Sequence, residues 1–202
     1  MTTPPQISHN KSSISIPIDL LKKNKRLKIY CDICFIGELP FLITKSDVVE
    51  FITSHFLVNR KKKEIIKILQ DIMKIYFSRR FIVTDMFTDG EFNYDAIKQN
   101  ILPVTLNICS TDEHVPKVER TIRSMKERFR SICHGLPYRK YTPIMIKSLM
   151  YRAVYGINSC PNEQSVSSTM SPSSMVEGKL NPDYNRKRAS FGSYVFVFNK
   201  NE

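Results

Sequence analysis

Residues 27 to 35 alternate so regularly that few structures other than a strand accommodate them. Leu27, Ile29, Cys31, Ile33 and Phe35 face one way, and Lys28, Tyr30, Asp32 and Cys34 the other. A turn at Gly37, Glu38 and Pro40 follows, then apolar stretches from Phe41 to Lys45 and from Val48 to Leu57. The spacing predicts three hairpin-linked antiparallel strands. Lys61 to Arg80 then switches to a helical period, with Ile65, Ile68, Leu69, Ile72, Met73, Ile75 and Tyr76 on one side. Further strands are expected at Phe81–Phe87 and Val104–Cys109, separated by a short helix over Tyr94–Asn100 that Pro103 stops. Helices are expected from Val115 to about Cys133, capped from Thr111, Asp112 or Glu113, and from Pro143 to Ile157.

Three hairpin-linked strands followed by alternating helices and strands imply an α/β fold: one mixed sheet with helices on its faces. Residues 1–25 read as an N-terminal tail and 26–158 as the core. Residues 159–202 read as a loop-rich extension with a short helix near Ser173–Glu177 and a last strand at Ser193–Phe198. No apolar run approaches the length of a membrane span, and the start of the chain lacks a signal-peptide pattern, so a soluble, intracellular protein without a membrane partner is expected.

Charge narrows the function. A net charge of +12 favours a polyanionic partner, nucleic acid before an anionic membrane surface. The five cysteines are odd in number and scattered, which speaks against a disulfide framework and for a reducing compartment. Cys31 and Cys34 form a single CxxC without a second pair, inside an apolar strand, so structural zinc is not expected. Basic runs at Lys22–Lys28 and Arg60–Lys63 read as nuclear signals or simply as solvated surface.

Three acids stand out. Asp32 interrupts an apolar strand, where Asp is disfavoured; it belongs either at an opening or beside a cation. Asp89 comes where a strand gives out, followed by Gly90, which suits a site on a sheet edge and equally a plain Asp-Gly turn. Glu119 lies on a helix whose apolar stripe is Val115, Val118, Ile122, Met125 and Phe129. Glu119, Arg123, Lys126 and Arg130 form a second stripe beside it. That stripe reads either as a carboxylate for metal with cations for phosphate, or as a solvated face with i,i+4 pairs. Three carboxylates on separate elements could hold two Mg²⁺ ions, which prefer oxygen donors.

The order Asp32, Asp89, Glu119, with "TDGEF" at Thr88–Phe92, resembles the Ty1/copia class of retrotransposon integrases. So do the stretches "YCDICFIGELPFLITKS", "STDEHVPKVERTIRSMKERFRS", "LPYRKYTPIMIKSLMYRAVYGIN" and "TMSPSSMVEGKLNPDYNRKRASFGSYVFVF". The resemblance runs from about Leu27 to Phe198. It implies a ribonuclease H-like mixed five-stranded sheet flanked by helices, and Asp32, Asp89 and Glu119 as catalytic, metal-binding residues for two Mg²⁺ or Mn²⁺ ions. It implies 3′-end processing and strand transfer of DNA, a nuclear site of action and a homo-oligomer. Arg123, Lys126 and Arg130 are then phosphate contacts, with Arg120 and Lys117 as weaker, more peripheral charge. The interval of 30 positions from Asp89 to Glu119 is shorter than the resemblance implies, and Asp85 and Glu91 stand near enough to Asp89 to compete with it. Two other functions stay open: an inactive nucleic-acid-binding remnant of a retroelement polyprotein, and a ribonuclease H-like nuclease.

Overall fold

The computed structural model describes residues 14–92, 95–109 and 116–178. A short helix, α1 (Ile18–Lys23), leads into three strands, β1 (Arg26–Ile36), β2 (Leu39–Ser46) and β3 (Ile52–Phe56). Helix α2 (Lys62–Ser78), strand β4 (Ile82–Thr88), a 3₁₀ turn at Gly90–Phe92, helix α3 (Asp95–Asn100) and strand β5 (Thr105–Ile108) come next. Helices α4 (Pro116–His134), α5 (Pro143–Asn158) and α6 (Pro172–Glu177) complete the described order. The expected strand at Ser193–Phe198 and the expected caps Thr111, Asp112 and Glu113 lie outside the described residues.

The described strands form one mixed sheet in the order β3-β2-β1-β4-β5. The hairpin-linked pairs are antiparallel, whereas β4 runs parallel to β1 and β5 parallel to β4. Parallel neighbours need a crossover, which α2 provides between β3 and β4 and α3 between β4 and β5. The α/β expectation of a mixed five-stranded sheet flanked by helices is therefore what the chain adopts.

The alternation of β1 sorts two cores. Leu27, Ile29 and Cys31 point into a layer with Ile65, Leu69, Ile72 and Tyr76 of α2. Cys34 and Ile36 point into the other, with Val118, Ile122 and Met125 of α4 and Met150 and Val154 of α5. Both faces of the sheet are thus covered, and the odd and even residues of one strand belong to different cores. Phe35 departs from its expected row; it is exposed, with the Arg60 guanidinium carbon 5.6 Å from its ring centre.

Two stretches differ from the sequence reading. Val48–Phe51, read as the start of the third strand, is a turn: Ser46 N–H donates to the Phe51 carbonyl at 3.1 Å, and Glu50 sits at φ 59°. The apolar side chains Val49 and Phe51 are buried because the turn folds inward, which mimics a strand in composition. The second stretch is the segment read as a tail. Ile16, Leu20 and Leu21 pack on the first core, and Met175 and Val176 of α6 are buried in it.

Arg79, at the C-terminal end of α2, ties these outlying segments together. Its guanidinium donates to the carbonyls of Met175, at 3.0 Å, and of Ile14, while Ile14 N–H donates to the Gly178 carbonyl at 3.1 Å. Charge-assisted bonds of this kind are worth more than neutral ones. Arg79→Ala is expected to lower stability by about 2 kcal/mol and to open residues 14–23 to protease first. A urea midpoint shift within error of wild type, with unchanged cleavage, would remove this role. Among the described residues no helix is long and apolar enough to cross a membrane.

Candidate active site

Asp32 lies in the middle of β1, the central strand, on the face covered by α4. It is half-buried, and its Oδ1 accepts a hydrogen bond from its own neighbour, Ile33 N–H, at 2.6 Å. Asp89 follows the last residue of β4 directly. The parallel register pairs Tyr30 with Phe87, so two further residues on each chain bring Asp32 and Asp89 level on neighbouring paths. Phe87 packs on the second core, on the same face as Tyr30, and the two rings stack with centres 5.2 Å apart. By alternation Asp89 continues that face.

Helix α4 crosses the same surface. Lys117 Nζ stands 5.2 Å from the Tyr30 ring centre, and Lys126 lies close enough to act on Cys34. Glu119 is in the first turn of α4 and exposed. Burial pushes the Cys34 thiol up to about 11, with Lys126 opposing and Asp32 reinforcing the shift. This thiol is a packing group and not a nucleophile at neutral pH.

Asp32 and Asp89 thus lie on neighbouring strands, and Glu119 on a helix packed against β1 and β2. They are not drawn into a cage: among the described residues no group of three or more His, Cys, Asp or Glu side chains could hold a metal ion. The donor chemistry, all carboxylate oxygen, is the type Mg²⁺ takes, but the gathered geometry is not present. Asp85, a rival to Asp89 by sequence, is placed elsewhere. It precedes Asp89 by four positions along β4, about 13 Å of strand, and its carboxylate accepts from Thr84 Oγ1 at 2.7 Å and Asn107 Nδ2 at 3.3 Å. Gly90–Phe92 forms a 3₁₀ turn whose Phe92 ring is fully buried, which anchors the loop just after Asp89.

The cations on α4 divide into two flanks. At about 100° per residue, Glu119, Arg123, Lys126 and Arg130 fall within about 60° of one another beside the buried stripe. Arg123 and Arg130 are exposed and Lys126 half-buried. Lys117 and Arg120 lie on the opposite flank, where they line a cavity of about 440 Å³ with Lys45, Glu50, Ser124 and Gln164. The resemblance implied weaker, peripheral charge for these two; they line this cavity beside the end of β2 and the turn before β3. Lys45 and Glu50 were not singled out from sequence. Their signal in the sequence is a Lys and a Glu five positions apart, which is common.

No protein-family model matches the chain, and neither does any curated protein sequence. Among solved structures, the catalytic core domain of BIV integrase is similar, with a TM-score of 0.54 and 11% sequence identity. The likeness covers 74% of this chain and 93% of that chain. At such low identity the likeness is one of architecture alone: this chain shares the mixed-sheet fold of that catalytic core domain.

Proposed function

We propose that the chain is an integrase-type polynucleotidyl transferase of the Ty1/copia kind, acting on element ends and target DNA by 3′-end processing and strand transfer. The observation that supports this reading is the fold shared with an integrase catalytic core, with acids on three of its elements. Asp32 is on the central strand, Asp89 at the end of its parallel neighbour, and Glu119 in the first turn of α4, which packs against β1 and β2. Ligands of open α/β sheets bind outside the carboxyl ends of the strands, where Asp89 stands. Asp32, Asp89 and Glu119 are the proposed ligands of two Mg²⁺ or Mn²⁺ ions, which when bound would polarise phosphodiester oxygens. Arg123, Lys126 and Arg130 would take the DNA backbone on the Glu119 flank. Such contacts give affinity and orientation with little choice of sequence. Action in the nucleus and as a homo-oligomer belongs to the same proposal.

A second reading, a nucleic-acid-binding module without catalysis, is favoured by one observation: the acids are not gathered to hold metal among the described residues. Strand-transfer and end-processing assays with purified protein across a Mg²⁺ and Mn²⁺ series separate the two. The enzyme reading expects metal-dependent joining that Asp89→Asn combined with Glu119→Gln abolishes. Joining that survives this double change would overturn the assignment of the site. Duplex binding that is indifferent to divalent ions and never accompanied by nicking would establish the module instead. Cleavage of RNA–DNA hybrids without joining would make the chain a ribonuclease H-like nuclease.

A further inference from the structure

The cavity on the other flank of α4 is independent of the three acids and has a composition of its own. Its walls come from the end of β2, the turn before β3, α4 and the segment after α5, four places far apart in the chain. Lys45, Lys117 and Arg120 bring three positive charges to it, and Glu50 the single negative one. Glu50 is already engaged: its carboxylate lies 2.5 Å from Lys45 Nζ, with the two side chains only 5% and 15% exposed. The contact is one of charge, since Glu50 Oε2 makes no hydrogen bond of regular geometry. The cavity is left with the net charge of Lys117 and Arg120.

This wall is costly to build. Glu50 holds a left-handed backbone at φ 59° and buries a carboxylate, two features that a connecting turn does not require. The buried carboxylate holds Lys45 at the cavity. Lys117 is held against the Tyr30 ring, and Arg120 Nε donates to the Pro116 carbonyl at 3.2 Å, a contact that steadies the side chain while engaging one of its three nitrogens. Ser124 and the amide of Gln164 add uncharged donors. Charged and neutral donors arranged around a space suit an oxyanion such as phosphate. The volume of about 440 Å³ is ample for an attached sugar and lies in the range of small-ligand sites. Ile52 and Ile157 supply apolar wall.

We propose that this cavity is a sugar-phosphate site in which Lys117 and Arg120 bind the phosphate and the Glu50–Lys45 pair positions the third cation. A free nucleotide and a phosphate of a nucleic-acid strand share this chemistry. The proposal does not depend on the catalytic reading, because none of its residues is among the three acids.

The test is titration of the full 202-residue chain with inorganic phosphate, thymidine 5′-monophosphate and a single-stranded oligonucleotide, by calorimetry at low salt. Saturable binding of at least one probe is expected. Lys117→Ala with Arg120→Ala should weaken it roughly tenfold or more, whereas Lys67→Ala with Lys74→Ala, exposed on α2 across the sheet, should change it less than about twofold. Binding of the mononucleotide assigns the site to a free ligand, and binding of the oligonucleotide alone, with the same flank dependence, assigns it to a strand. No saturable binding of any probe overturns the proposal, as does equal loss from both double variants. Melting temperatures of both variants establish that these exposed or half-exposed changes leave the chain folded.

Discussion

Asp32→Asn is expected to lower DNA joining roughly a thousandfold or more while leaving the fold and the duplex affinity nearly unchanged. The amide has almost the shape of the carboxylate, and its oxygen can still accept the Ile33 N–H bond that Asp32 Oδ1 makes at 2.6 Å. The stacked Tyr30 and Phe87 rings and the buried Cys34 beside it do not depend on the charge. What changes is one negative charge at the proposed metal site. A metal-dependent phosphoryl transfer draws several kcal/mol of transition-state stabilisation from its ion site, and about 4 kcal/mol corresponds to three orders of magnitude in rate. Three measurements on the variant separate site from scaffold: the joining rate, Mn²⁺ affinity by calorimetry, and the melting temperature. A variant that joins DNA within about tenfold of wild type removes Asp32 from the proposed machinery. A variant that merely unfolds is recognised from its melting curve.

The second large effect concerns stability. Asn158, the last residue of α5, is buried, and its amide closes a two-bond ring on one residue of β3. Oδ1 accepts Ile52 N–H at 2.9 Å and Nδ2 donates to the Ile52 carbonyl at 2.7 Å. The side chain thereby acts as one more residue of sheet at the start of β3, and it docks the second helical layer to the sheet's edge. Asn158→Leu keeps the volume but leaves an N–H and a C=O buried without partners, at about 1–3 kcal/mol each. A net loss of about 3 kcal/mol is expected, or a fall in melting temperature of roughly 10 °C for a domain of this size. A loss under about 1 kcal/mol would mean that water reaches Ile52 and that the amide is dispensable. Asn158→Asp keeps the acceptor and loses the donor, placing a carboxylate against a carbonyl, so it should be no better tolerated than Leu.

How much of this was legible in the residues depended on how local each signal was. The helix over Lys62–Ser78 announces itself because seven apolar residues at helical spacing have no other structure to occupy. The face of Asp32 could be read from alternation, since strand period is independent of what packs on either side. The start of β3 could not. Val48 to Phe51 has a strand's composition, yet a turn closed by Ser46 and Phe51 buries the same side chains. Composition records burial and is silent about the route. The first segment failed for the opposite reason: Ser and Pro around Ile16, Leu20 and Leu21 masked three residues that pack on the core. Periodicity found the Glu119 flank of α4, but the cavity beside Lys117 and Arg120 needs residues from β2, the following turn and the 162–164 segment. No window along the chain brings those together. Whether the acids converge closely enough for metal is likewise a matter of ångströms between elements, which spacing in sequence does not determine.

The odd-even sorting of β1 has one more consequence. Cys31 and Ile33 contact the layer with α2, and Cys34 contacts the layer with α4, so Asp32 is aimed by its neighbours' hydrophobicity. A slip of one residue between β1 and its neighbours would turn the carboxylate into an apolar interior at a cost of several kcal/mol. The acid therefore proofreads the assembly of the sheet: a chain that misaligns its central strand pays in desolvated charge and is sent back to try again.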